Sequence, residues 1–82
     1  MVDSEFPTKL ANIKPKEVIR ALERAGWFIH RTAGSHVQLK HSQKPGRITV
    51  PYHAFDLSKG TVKRIITQAG LTNEEFVELL KG

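Results

Sequence analysis

The triplet Gly34-Ser35-His36 runs straight into the alternating segment Val37-Gln38-Leu39-Lys40. A Gly-Ser turn feeding a strand sets a histidine at the strand's first outward position. Imidazole titrates near neutrality, so it can take or give a proton at physiological pH. From Trp27 to Leu71 the cations are Arg31, Lys40, Lys44, Arg47, Lys59, Lys63 and Arg64, and the only carboxylate is Asp56. A titratable ring in a positive field suits a phosphodiester: the cations hold phosphate while the ring handles the proton.

Other site chemistries fit the sequence poorly. There is no cysteine, hence no thiolate and no disulfide. The four histidines show no His-x-x-x-His spacing and no accompanying carboxylate cluster, so neither a metal site nor a cofactor is expected.

The elements around the motif follow from periodicity. Pro15 suits a first helical position, where its missing N–H costs nothing. Val18, Ile19, Leu22 and Ala25 then recur at helical spacing, and Gly26 is a left-handed stop. Trp27–Arg31 reads as a strand, with Thr32-Ala33-Gly34 as the turn. In the second strand Val37 and Leu39 point one way, and His36, Gln38 and Lys40 the other. After a polar turn ending in Pro45-Gly46, Ile48 and Val50 point inward and Arg47 and Thr49 outward. Pro51 ends this third strand. A second helix spans Ser58 to Ala69, with Val62, Ile65, Ile66 and Ala69 as its apolar stripe and Gly70 as its stop. Thr72 and Glu75 form a capping box for a short last helix, with Leu71 and Phe76 as its hydrophobic staple.

The order is helix, three antiparallel strands, helix, helix. The helices must cover one sheet face, leaving the His36 face open. This is the double-stranded-RNA-binding-domain type of α+β sandwich. Residues 13–82 form its single domain, and residues 1–12 read as an N-terminal extension whose first six residues have the look of an expression remnant.

The 82 residues carry a formal charge of +5, which points to an anionic partner. The absence of cysteine fits a reducing cytoplasm. No apolar run reaches membrane-spanning length, so no membrane partner is expected.

Several segments together resemble the HicA family of toxins, small ribonucleases of bacterial and archaeal toxin–antitoxin pairs. They are Lys16-Glu17-Val18-Ile19 through Ala25-Gly26, Gly34-Ser35-His36, Val50-Pro51-Tyr52-His53, Gly60-Thr61-Val62, Gln68-Ala69-Gly70-Leu71 and Glu74-Glu75-Phe76. The resemblance runs from about Lys14 to Leu80. It implies an endoribonuclease that cleaves single-stranded mRNA without a metal. It also implies a HicB-type antitoxin that covers the active surface of a toxin that is otherwise monomeric. The family's catalytic histidine carries over to His36, and the histidine after its Val-Pro pair to His53. Val37 stands where the family often has a second polar residue or histidine.

On this reading His36 is the general base or acid, with His53 and Ser35 as candidate supporting groups. Gly34 makes the turn. Lys40, Arg47, Lys59, Lys63 and Arg64 hold RNA. His30 and His41 read as solvated strand ends and Trp27 as core. With so few aromatic residues outside the core, base stacking is not expected. Two alternatives use the same features. One is an RNA-binding module of this fold that cuts nothing; the other is an interaction protein whose positive surface meets an acidic partner.

Overall fold

A computed structural model of the chain describes residue 10, residues 12–53 and residues 55–82. The extension expected over residues 1–12 falls mostly outside these. Leu10, however, is fully buried in the core.

The chain forms α1 (Pro15–Arg24), β1 (Trp27–Ala33), β2 (His36–His41), β3 (Arg47–Pro51), α2 (Lys59–Ala69) and α3 (Asn73–Lys81). The strands make one antiparallel sheet in the order β1-β2-β3. This is the α+β arrangement that the periodicity predicts. Among the described residues no helix is long and apolar enough to cross a membrane.

Local chemistry sets the helix ends. Pro15 opens α1, and the Glu17 carboxylate accepts from the Lys14 backbone N–H at 3.0 Å. Ser58 caps α2 by accepting from the Thr61 N–H at 3.2 Å, and left-handed Gly70 (φ 72°) closes it. Thr72 and Glu75 make the reciprocal box that opens α3, at 2.8 and 3.1 Å.

The core lies on one side of the sheet. Val37, Leu39, Ile48 and Val50 pack there with Val18, Ile19 and Leu22 of α1, the Val62–Ala69 stripe of α2 and Phe76 of α3. Ile29 shares this face but stays half exposed, because a groove of about 420 Å³ separates it from Ile19 and Arg20 of α1. Two long side chains act as ties. The Arg24 guanidinium donates to the Leu79 carbonyl at 2.6 Å, and the Lys44 ammonium to the Ala69 carbonyl at 2.9 Å. The second sets a cation at the negative end of α2.

The sheet departs from the expected pattern in β1, which runs to Ala33 and carries a bulge. Ile29 pairs with Leu39, but Arg31 rather than His30 pairs with Gln38. The extra residue reverses the alternation, so Phe28, Arg31 and Ala33 all share the outward face. Pro51 ends β3 as expected, paired with His36, and the next N–H, from Tyr52, donates to the Ser35 carbonyl at 2.6 Å.

His41 is not a solvated strand end. It is half buried, with its ring edge-on to Trp27 at 5.3 Å. Its Nδ1 accepts from the Gln43 N–H at 3.0 Å, so the ring proton sits on Nε2 and is donated to the Ala25 carbonyl at 3.2 Å. A Cβ on Gly26 (φ 99°) would lie 2.7 Å from that Nε2. The turn after α1 therefore needs glycine twice over, for its backbone conformation and for the room His41 occupies. Gly34 (φ 58°) needs it only for conformation, since nothing lies within 4 Å of a Cβ there.

These contacts predict a ranking of stabilities in urea unfolding. Gly34→Ala loses roughly 1–2 kcal/mol for the left-handed residue, and Gly26→Ala loses more. His41→Ala loses roughly 1–3 kcal/mol of ring packing and hydrogen bonding. His36→Ala stays within about 0.5 kcal/mol of the parent. Equal losses at the two glycines would show that the His41 ring yields freely.

Candidate functional site

The open face of the sheet is a grid of three rows, because cross-strand partners point to the same side. Ala33, His36 and Pro51 form one row. Arg31, Gln38 and Thr49 form the next, and Phe28, Lys40 and Arg47 the third. No carboxylate stands among the nine. Asp56, the lone acid of the Trp27–Leu71 stretch, is turned to Lys14, whose Nζ lies 3.2 Å away.

His36 is exposed, and among the described residues neither ring nitrogen has a hydrogen-bond partner. Its backbone is held by the pairing with Pro51 and by the flanking bond from Tyr52 to Ser35. The Gly34-Ser35 turn leads directly into it, as the motif requires.

Beside His36 the surface closes into a cavity of about 270 Å³, lined by His36, Thr49, Pro51, Arg64 and Gln68. The first three come from the sheet and the last two from α2, which packs against the β3 edge. Arg64 and Gln68 are one helical turn apart and form a row along that flank. Successive helical residues are about 100° apart. Lys63, with Lys59 one turn before it, thus points away from the row of Arg64. The expected basic helix face is therefore two faces: Arg64 reaches the His36 cavity, and Lys59 and Lys63 do not line it.

The other expected residues divide similarly. Lys40 and Arg47 share the face of His36 but lie four strand residues away, about 13 Å. The Arg47 guanidinium donates to Gln38 Oε1 at 3.2 Å. His53 is exposed and does not line the cavity. Its Nδ1 accepts from the Phe55 N–H at 3.2 Å, and its ring lies 5.7 Å from that of Phe55. Among the described residues, the Ser35 side chain makes no hydrogen bond. No three histidine, aspartate or glutamate side chains come together there as a metal-holding group.

Gln68 and the Phe28 surface were not singled out from the sequence. Gln68 follows Arg64 by one helical turn, a spacing that was readable. Phe28 stands next to a buried Trp27, and only strand alternation separates the two.

No curated protein matches the chain. A family model described as the HicA toxin of bacterial toxin–antitoxin systems matches residues 15–71. That span starts with the first residue of α1 and ends just past the glycine cap of α2. It takes in the whole sheet and both residues that α2 contributes to the cavity. The chain thus belongs to the HicA toxin family: it is the toxin component of a toxin–antitoxin system, with an antitoxin as partner.

Proposed function

We propose that this toxin is an endoribonuclease that cleaves single-stranded mRNA without a metal, using His36 as its general base. The observation that carries the reading is the shared cavity of His36 and Arg64 on a face without carboxylates. A phosphate drawn there meets a guanidinium that holds two of its oxygens and an imidazole with a free nitrogen.

The reaction follows from those two groups. An unprotonated His36 nitrogen takes the proton of the ribose 2′-hydroxyl. The 2′-oxygen bonds to the adjacent phosphorus, and the bond from phosphorus to the 5′-oxygen breaks. The products are a 2′,3′-cyclic phosphate and a 5′-hydroxyl, the latter taking its proton from water. His36 then returns its proton to solvent. Arg64 stabilises the extra negative charge on the phosphoryl oxygens as the bonds exchange. Arg64, with a planar fork of donors and no acceptor, serves charge and hydrogen bonding rather than acid chemistry. Thr49 and Gln68 offer neutral donors to the same phosphate or to the flanking sugar. His53 stands outside the cavity, so the leaving-group proton comes from water. General base help of this kind contributes roughly 10²–10⁴-fold in rate.

The same face suits inhibition by masking. A HicB-type antitoxin presenting carboxylates to Arg31, Lys40, Arg47 and Arg64 would neutralise the surface and block His36 in one step. The domain carrying this activity is residues 13–82 with Leu10 completing its core, and it acts as a monomer until the antitoxin binds.

Three outcomes test the reading. His36→Ala, folded as the parent, loses RNA cleavage and growth inhibition, while the parent cleaves undiminished in excess chelator. Activity lost in chelator and restored by magnesium or zinc would replace the base scheme with metal catalysis. Binding without cleavage by the parent would leave only an RNA-binding module.

Arg64→Gln lowers kcat by roughly 10²–10³-fold with little change in KM. An unchanged kcat with a raised KM would make Arg64 a binding group instead.

The antitoxin inhibits competitively with RNA and covers His36 in the complex. Steady-state kinetics with purified partner, and a His36 ring signal that stays accessible to solvent, would together decide against masking.

A further inference from the structure

We infer that Phe28, Lys40 and Arg47 form a base-stacking subsite for single-stranded RNA, at the far end of the sheet face from His36. The inference rests on the ribonuclease reading and extends it to how substrate is held.

Phe28 is 49% exposed, although its neighbour Trp27 is 3% exposed. A single exposed aromatic means little by itself; its setting gives it meaning. The Cα partner of Phe28 is Lys40, and the other partner of Lys40 is Arg47. The three side chains therefore stand in one row across three strands, spaced about 4.8 Å apart. A base laid on the phenyl ring has its flanking phosphates within reach of two cations. That pairing of a π-face with a positive track is the usual grip on single strands.

The row is continuous with the cavity. The middle row, Arg31-Gln38-Thr49, bridges about 13 Å of polar surface to His36 with hydrogen-bonding groups that suit sugars and base edges. A protein partner is less well matched. Interface centres gather several aromatic or aliphatic anchors, and the nine-position face holds one large apolar side chain. A strand of RNA needs only one ring per stacked base.

Binding to two probes separates the contributions. The His36→Ala chain, which binds without cutting, is titrated with a short oligoadenylate RNA and with an abasic RNA backbone of the same length. Adding Phe28→Ala weakens oligoadenylate binding by roughly 5- to 150-fold and leaves the abasic affinity unchanged. Adding Lys40→Gln with Arg47→Gln weakens both probes and flattens the salt dependence, by about 0.7 in log–log slope for each phosphate no longer neutralised. Phe28→Trp keeps the affinity, and its exposed indole is quenched by oligoadenylate and not by the abasic chain. Circular dichroism confirms that each variant is folded.

Unchanged oligoadenylate binding by Phe28→Ala, equal losses on both probes, or an unquenched Trp at position 28 would overturn the subsite while leaving the nuclease reading intact. A Phe28→Ala chain that loses antitoxin affinity alone would assign the patch to protein docking. Failure of the His36→Ala parent to bind either probe would remove the RNA reading itself.

Discussion

The structure depends on one asymmetry: a chain this short can cover only one face of its sheet. Val37, Leu39, Ile48 and Val50 alternate with polar residues at period two, and all three helices spend their apolar stripes on that one side. The opposite face carries no packing duty. Six of its nine positions hold charge, hydroxyl, amide or imidazole, and the other three are Ala33, Pro51 and Phe28, because none of them has to exclude water. The core and the proposed RNA site thereby fall on opposite surfaces of the same strands, and a residue's parity along β2 or β3 decides which side it joins.

Much of this was legible in the sequence. The helix stops at Gly26 and Gly70, the Thr72–Glu75 box and the inward and outward sets of β2 and β3 follow from short-range chemistry, and each is found as expected. The family was legible as well, through segments spread over nearly the whole chain. What escaped was long-range or irregular. The bulge at His30 leaves no trace in composition, yet it reverses which β1 side chains face outward. The role of His41 needs the Ala25 carbonyl and the Trp27 ring, which come from other elements. The cavity beside His36 depends on how α2 lies against the β3 edge. Periodicity gives the helix its stripe but not its flank, so Lys59, Lys63 and Arg64 read as one basic patch until the packing divided them.

That division has a chemical logic. A cation beside the scissile phosphate can act on the transition state, whereas a cation 13 Å away can only raise the local concentration and alignment of the strand. In the proposed reaction Arg64 is of the first kind, and Lys40 and Arg47 are of the second. The guanidinium also fits its position better than an ammonium would, since its planar fork can hold two phosphoryl oxygens at once. Lys44, counted from the sequence with the other cations, serves neither purpose; it is spent on the carbonyl end of α2.

The bulge has one more consequence. A three-stranded sheet has two edge strands, and an unpaired edge is a template on which another copy's strand can grow. In β1 the inserted His30 breaks the regular spacing of donors and acceptors midway, so a straight incoming strand cannot pair along its length. In β3 the last position is Pro51, which has no donor to offer. The molecule thus leaves a whole face open to a ligand while both margins of that face resist self-propagating assembly, the hazard that an uncovered sheet otherwise invites.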